Sequence, residues 1–144
     1  MQLSIITPSY NQGRFIERTI KSVKNQKINN IEHIIFDNES SDETSKILKK
    51  YKKIVRSYIE KDNGQSHAIN KGFKLAKGDI IGWINSDDIY HNNIFIEVIK
   101  FFKNNPFVDV IYGEANHIDE SDNQINMYET ENWDINRLKD VCYI

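Results

Sequence analysis

Short apolar stretches alternate along this chain with segments of helical periodicity, and this alternation restricts its fold more than any other feature. The stretches that we predict to be strands are residues 3–7, 31–36, 55–59, 80–84 and 108–112. Between the first two, Ile16, Ile20 and Val23 recur at the spacing of one helix face. The alternation predicts an α/β fold with a mainly parallel, twisted, Rossmann-like sheet and helices on both faces.

Local signals predict how some of these elements begin and end. Ser66 is a candidate cap for the start of the third helix. Gly78 is placed to end that helix in a left-handed conformation. Residues 118–125 have the pattern of a hairpin turning around Asp122 and Asn123.

The composition is that of one globular domain. The chain has 144 residues, of which 39% are hydrophobic and 28% charged, so it is long enough to bury a core. A net charge of −2 with both signs interleaved argues against a nucleic-acid partner. No apolar stretch is long enough to span a bilayer. The single cysteine, Cys142, is interpreted as a small buried hydrophobe in a reducing compartment.

Polar residues follow the predicted strands at the points where parallel strands bring their carboxyl ends to one edge. They are Ser9, Tyr10 and Asn11, then Asp37, then Asp62, then Asn85, Ser86, Asp87 and Asp88. Carboxylates that converge without histidine or thiol partners favour a hard cation, Mg²⁺ or Mn²⁺. For Asp87 and Asp88 the alternative is that one of them only caps the following helix.

Several function classes lack their motifs. The chain has no P-loop lysine, no Gly-x-Gly-x-x-Gly after the first strand, and no nucleophilic serine or cysteine with a matched histidine. Its histidines also lack zinc-ligand spacing; they are His33, His67, His91 and His117. His67 lies among the strand-end residues, and a surface or capping role is its alternative.

Four segments together point to a family. They are residues 4–11 (SIITPSYN), 37–42 (DNESSD), 62–72 (DNGQSHAINKG) and 77–88 (KGDIIGWINSDD). In this order and spacing they resemble the family 2 glycosyltransferases of the GT-A fold, and the resemblance runs from Met1 to about Asn126.

The resemblance implies roles for individual positions. The residues implied in nucleotide binding are Pro8, Ser9, Tyr10, Asp37, Asp62, Asn70, Asn85 and Ser86. Tyr10 matches the loop that packs on the base, and Asp37 matches the aspartate that accepts a hydrogen bond from it, typically from uracil. Asp87 matches the last position of the Asp-x-Asp motif, which binds Mn²⁺ or Mg²⁺ bridging the diphosphate. The resemblance implies Asp88 as a second metal ligand.

Two positions depart from the family pattern. Asn85 replaces the first aspartate of Asp-x-Asp, so metal binding has to depend on Asp87 and the phosphates. Glu39 replaces the usual glycine of its segment. We therefore expect the backbone at Glu39 not to need a positive φ angle.

The implied function is metal-dependent, inverting transfer of a sugar from a nucleotide-diphosphate sugar, typically a UDP-sugar, to an acceptor hydroxyl. The acceptor would be a sugar or lipid-linked molecule in polysaccharide or glycoconjugate synthesis, and this hexosyltransferase would be cytoplasmic or peripheral at the inner face of the membrane. One alternative is a non-catalytic nucleotide-sugar-binding or scaffold domain. Another is a nucleotidyltransferase, although the loop at residues 8–13 lacks the basic residues that such enzymes use for a triphosphate.

The resemblance also implies a longer protein. We expect residues 1–144 to be a single GT-A-type domain, with residues 1–90 as its nucleotide-binding half and residues 91–144 as the incomplete start of its acceptor-side half. The general base is then expected beyond residue 144, and the chain alone is expected to transfer sugar poorly. Glu114 and Asp119 are the nearest other candidates for the base, but each is better explained as a surface carboxylate at a strand end.

Overall fold

The structure, a computed structural model, describes residues 1–140 and divides into two compact units, Met1–Asn104 and Asn105–Ile144. The elements of the first unit are β1 (Leu3–Ser9), α1 (Ile16–Lys24), β2 (Ile31–Asp37), α2 (Thr44–Tyr51), β3 (Arg56–Ile59), α3 (Gln65–Leu75), β4 (Ile80–Trp83) and α4 (Ile94–Asn104). Those of the second are β5 (Ala115–Ile118), β6 (Gln124–Tyr128) and α5 (Ile135–Asp140). Cys142 lies outside the described residues.

The first unit is built on one parallel sheet with the strand order β3-β2-β1-β4. Leu3 at the start of β1 pairs with Ile31 on one side and with Ile80 on the other. All four strands therefore run in one direction, and the loops that follow them lie at one edge. The predicted parallel α/β architecture is confirmed.

Alternate residues of the strands pack against helices on opposite faces of the sheet. On one face, Leu3 and Ile5 of β1 pack with Val23 of α1 and Phe95 of α4. On the other face, Ile34 and Phe36 of β2 pack with Ala68 of α3. Successive side chains of a strand point to opposite faces of the sheet, so each strand contributes to both helix layers. Helices cover both faces, as predicted.

A proline lies inside the central strand. β1 continues through Pro8 to Ser9, two residues beyond its predicted end. The carbonyl of Ile6 accepts from the N–H of Ile84 at 2.9 Å, so the backbone groups of Ile6 point towards β4. Those of Pro8, two residues later in the strand, point the same way. The β1–β4 register ends at Ile6 and Trp83. The N–H that Pro8 lacks therefore has no ladder partner to lose.

The third helix begins and ends differently from the prediction. It begins at Gln65 after Gly64, whose φ of 103° requires glycine, so Ser66 lies inside the helix and does not cap it. Gly78 is not in a left-handed conformation, and the helix is followed instead by the extended Ala76. A Cβ at Gly78 would stand 2.6 Å from the backbone nitrogen of Ser4, so glycine is needed there for close contact with β1.

The second unit contains the predicted hairpin but not the predicted fifth parallel strand. β5 and β6 pair antiparallel around a turn that contains Asp122 and Asn123. Residues 108–112 are not a strand: the prediction was wrong because a strand needs a neighbour for its backbone groups, and nothing in residues 1–140 pairs with this segment. None of the helices in the described part of the chain has the length and apolar character that crossing a bilayer requires.

Candidate functional site

The loops after β1 and β2 are bonded to each other through side chains. The N–H of Asn11 donates to the hydroxyl of Ser40 at 2.8 Å, and the amide oxygen of Asn11 accepts from the N–H of Ser41 at 2.9 Å. The N–H of Gly13 donates to the carboxylate of Asp42 at 2.8 Å. These two loops and the loop after β3 are the base side of the site: residues 10–15, 38–43 and 60–64.

Asp37 ends β2 and is fully buried. Its Oδ1 accepts from the hydroxyl of Ser40 at 2.5 Å, and its Oδ2 accepts from the Ser40 N–H at 3.0 Å. In this conformation the carboxylate anchors the following loop. Beside it, the hydroxyl of Ser9 is buried without a hydrogen-bond partner.

Glu39 adopts a positive φ of 50°, so the expectation that no such angle is needed here was wrong. The N–H of Glu39 donates to the carbonyl of Asp37 at 2.9 Å, and Ser40 is held by the Asp37 carboxylate. These bonds fix both sides of Glu39. The turn therefore keeps the shape that favours glycine although the residue is glutamate.

The loop after β3 is held by its own side chains and by the β2 loop. The N–H of Asp62 donates to the side chain of Asn38 at 3.0 Å, and the Asp62 carboxylate accepts from the N–H of Gly64 at 2.7 Å. The ring Nδ1 of His67 accepts from the N–H of Asn63 at 3.0 Å. His67 thus has the capping role that was its alternative, with Nδ1 as the unprotonated nitrogen.

The loop after β4, residues 84–93, is the metal side of the site. Ser86 is buried, whereas Asp87 and Asp88 are exposed. The amide of Asn85 donates to the Asp88 carboxylate at 3.2 Å, and its oxygen accepts from the side chain of Gln65 at 2.6 Å. The two sides of the site meet at this last bond, because Gln65 directly follows the loop after β3.

The sequence of this chain matches a known protein family. The model of the family described as "Glycosyl transferase family 2" matches residues 4–142. The chain belongs to glycosyl transferase family 2. The matched range includes all four strand-end loops.

Curated relatives of this family 2 chain are longer than it is. TarP, the poly(ribitol-phosphate) beta-N-acetylglucosaminyltransferase of Staphylococcus aureus (strain N315), is 35% identical over 119 residues, which are 78% of this chain and 36% of TarP. Glycosyltransferase GlyG of Streptococcus pneumoniae serotype 4 is 30% identical over 132 residues, which are 89% of this chain and 44% of GlyG. The chain thus spans less than half the length of either relative.

Solved structures of glycosyltransferases share the fold. S. aureus TarS (1–349) in complex with UDP-GlcNAc is similar with a TM-score of 0.66 and 24% identity, over 72% of this chain and 32% of that one. Mannosyltransferase PcManGT from Pyrobaculum calidifontis, in complex with GDP-Man and Mn²⁺, has a TM-score of 0.64 and 20% identity, over 70% of this chain and 32% of that one. At these identities the likeness shows the GT-A fold alone.

The carboxylates of the family 2 chain fit a cation that also binds phosphate. Asp88 is exposed as a residue, but partial burial of its carboxyl group and the negative charge of Asp87 raise the pKa of Asp88 above its usual value, although the Asn85 amide opposes this. Two adjacent carboxylates that repel each other attract a cation. Within residues 1–140 no group of three or more His, Cys, Asp or Glu side chains is arranged to hold a metal. Two carboxylates completed by substrate phosphates are the set that Mg²⁺ commonly uses.

The other predicted positions differ in access. Pro8 and Ser9 are buried in β1, whereas the ring of Tyr10 is 59% exposed at the end of that strand. Asn70 is exposed, five residues after the start of α3 and therefore about 7.5 Å along the helix axis from the strand ends. Of the predicted residues, Asn70 is thus placed furthest along an element from this edge.

Sequence reasoning missed Gln65 and Thr19. Gln65 directly follows Gly64 at the start of α3, next to the predicted loop. Thr19 lies in α1, and its hydroxyl contacts the carbonyls of Ser86 and Asp88. Its sequence signal was weak: a polar residue inside the apolar stripe of a helix, with nothing to show what it bonds.

Proposed function

We propose that this chain binds a nucleotide-diphosphate sugar together with Mn²⁺ or Mg²⁺ and forms the donor site of a family 2 glycosyltransferase. One observation carries the proposal: four strand-end loops are bonded to one another, and among their carboxylates Asp87 and Asp88 are left exposed side by side. A site built only to stabilise the sheet has no use for a pair of repelling charges at its rim.

The base side supplies the nucleoside contacts in this proposal. The exposed ring of Tyr10 offers a flat apolar surface on which a base stacks. Asp37 is the proposed acceptor for the base, because each of its oxygens accepts one bond from Ser40 and has a second lone pair for the ligand. The unpartnered hydroxyl of Ser9, next to Asp37, is available to the same ligand. The UDP-GlcNAc bound in the TarS structure favours a UDP-sugar as donor.

The metal side supplies the diphosphate contacts. Asp87 and Asp88 hold the cation, and Ser86 lies near the ribose. When bound, the cation neutralises charge that grows on the departing diphosphate. Asn85 is held by Gln65 with its amide group directed at Asp88, so it stabilises that carboxylate rather than acting as a ligand.

The transfer itself is proposed to invert the anomeric carbon in one displacement by an acceptor hydroxyl of a sugar or lipid-linked molecule. The general base is proposed to lie outside the described residues. Asp119 is not suited to it, because its carboxylate already accepts the N–H groups of Ser121 and Asn123 at 2.8 and 2.9 Å. Residues 1–90 are proposed as the nucleotide-binding half and residues 91–144 as the start of the acceptor-side half, in a cytoplasmic or membrane-peripheral enzyme of polysaccharide or glycoconjugate synthesis.

The decisive experiment is calorimetric titration of the chain with UDP in Mn²⁺ and in EDTA, beside the variants Asp87→Ala and Asp109→Ala. Asp109 is an exposed aspartate of the second unit and serves as the matched control. We expect binding that requires Mn²⁺, survives in Asp109→Ala and weakens at least tenfold in Asp87→Ala. If UDP, GDP and dTDP all fail to bind with Mn²⁺, the donor-site proposal is wrong and a scaffold role replaces it.

A further inference from the structure

The segment that carries Asp87 and Asp88 has no regular secondary structure, yet one helix holds its backbone. Residues 84–93 form neither helix nor strand. Backbone N–H and C=O groups in such a segment need partners from elsewhere in the molecule. Several of these partners are side chains of α1 or of the second residue beyond its end. They are Thr19, Ser22 and Gln26, which we call the polar stripe of α1.

Thr19 holds the peptide on both sides of Asp87. Its side chain is fully buried. The hydroxyl oxygen lies 2.9 Å from the carbonyl oxygen of Ser86 and 2.8 Å from that of Asp88. A single hydroxyl proton is shared between these two carbonyls. The carbonyls before and after Asp87 are therefore fixed to one point on α1.

Ser22 and Gln26 continue the stripe towards α4. The N–H of Tyr90 donates to the hydroxyl oxygen of Ser22 at 3.1 Å. The buried amide of Gln26 donates to the carbonyl of His91 at 2.9 Å and accepts from the N–H of Phe95 at 3.3 Å. The spacing of three and then four residues from Thr19 to Gln26 aligns these side chains along one side of a helix. The segment from β4 to α4 is thus bonded at several points to Thr19, Ser22 and Gln26.

The apolar stripe of α1 fixes the helix itself. Ile16 and Ile20 pack with Ile35 of β2 and Leu48 of α2, and Val23 packs against β1. The helix therefore has a rigid attachment to the sheet on one side and a set of polar contacts to the metal side on the other. The position of Asp87 relative to the sheet depends on α1.

We propose that Thr19, Ser22 and Gln26 are positioning residues that hold Asp87 and Asp88 where they bind the cation and its diphosphate. The inference rests on the proposed function and gives α1 a role in it beyond packing. Loss of the Thr19 hydroxyl releases the carbonyls on either side of Asp87. It leaves the base contacts in place, because Tyr10 and Asp37 belong to other loops.

The test compares Thr19→Val, which removes the hydroxyl at nearly constant volume, with Thr19→Ser, which keeps it. Ile20→Val is the matched control, since it removes one buried methylene from the neighbouring residue at a similar cost in stability. We expect the Kd for Mn²⁺ in the presence of UDP to rise about tenfold in Thr19→Val. It should stay near the wild-type value in Thr19→Ser and Ile20→Val. In EDTA none of the four proteins should bind UDP measurably, so the Mn²⁺ titration carries the comparison.

A second measurement needs no ligand and separates this inference from the proposed function. Amide hydrogen exchange at Asp88 and Tyr90 should be about tenfold faster in Thr19→Val than in Ile20→Val. Unchanged exchange together with an unchanged Mn²⁺ dependence would overturn the positioning role. If the wild-type chain binds no nucleotide, the proposed function fails, and the exchange rates still decide whether the stripe holds the segment. Ser22→Ala, at a half-buried position, replaces Thr19→Val if that variant does not fold.

Discussion

The two sides of the candidate site use their carboxylates in opposite ways. On the base side, Asp37, Asp42 and Asp62 each accept hydrogen bonds from backbone N–H groups of nearby loops. On the metal side, Asp87 and Asp88 are exposed, and the neutral side chains of the α1 polar stripe bond the backbone instead. Aspartate side chains therefore bond the loop backbone on the base side, whereas neutral side chains do so on the metal side.

This difference predicts how much each carboxylate contributes to stability. A carboxylate that accepts hydrogen bonds from the surrounding loops holds them in place, so its removal leaves their donors without that partner. Two exposed carboxylates beside each other repel, and a cation relieves this repulsion. Substitutions should therefore lower stability on the base side, and binding but not stability on the metal side.

The largest effect on stability is expected for Asp37→Ala. Both oxygens of this fully buried carboxylate are bonded to Ser40, and their loss leaves the N–H and the hydroxyl of Ser40 unsatisfied. We expect the free energy of unfolding to fall by about 3 kcal/mol, as measured by urea denaturation. Asp87→Ala is the comparison and should change it by less than about 0.5 kcal/mol. An equal loss in both variants would remove the distinction between the two sides.

The sequence predicts the edge of the sheet at which the site lies, but not this division of roles. Asp37, Asp62 and Asp87 all follow predicted strands, and position alone does not separate them. Their roles depend on which N–H groups the loops direct at each carboxylate, and that is decided by contacts between residues distant in sequence. Asn11 and Ser40, for example, are 29 positions apart.

The errors of the sequence analysis have the same origin. The apolar run at residues 108–112 predicts a strand, but strand formation depends on a neighbour that a local pattern does not supply. Gly78 has the position of a helix terminator, whereas its actual requirement is the backbone of Ser4, more than 70 positions earlier. The helices, the parallel strands and the hairpin were predictable because their periodicity is local.

A smaller effect is expected for Asp42→Ala, also on the base side. Asp42 accepts from the N–H of Thr44 at 3.0 Å and from that of Gly13 at 2.8 Å, so it joins the start of α2 to the loop after β1. Loss of such a helix-start acceptor should lower the free energy of unfolding by about 1.5 kcal/mol at pH 7. Urea denaturation from pH 7 to pH 3 measures this difference.

The difference should depend on pH in a defined direction. Burial alone would raise the pKa of the Asp42 carboxyl, but the hydrogen bonds from Thr44 and Gly13 outweigh it and hold the pKa below the usual 3.8. The advantage of the wild-type chain is therefore complete above that value and is lost as the pH falls through the lower, folded-state pKa. Burial lowers the pKa of His33 to about 3, so this residue also titrates in this range. Its contribution to stability is the same in both proteins and cancels in the difference. A difference that grows on acidification would contradict the assigned role of Asp42.

The smallest effect is expected for Glu39→Gly, and it has the opposite sign. Glu39 has a φ of 50°, which is unfavourable for a side chain with a Cβ but accessible to glycine. Relief of this strain is partly offset by the greater freedom of glycine in the unfolded chain, so we expect a net gain in stability of about 0.5 kcal/mol. Glu39→Ala is the control, because it removes the same charge and keeps the Cβ. A gain in Ala as large as that in Gly would assign the effect to charge. A gain in stability in Glu39→Gly alone would show that the turn has a positive φ angle that glutamate adopts at a cost. The flanking bonds at Asp37 and Ser40 would then be what holds the turn in this conformation.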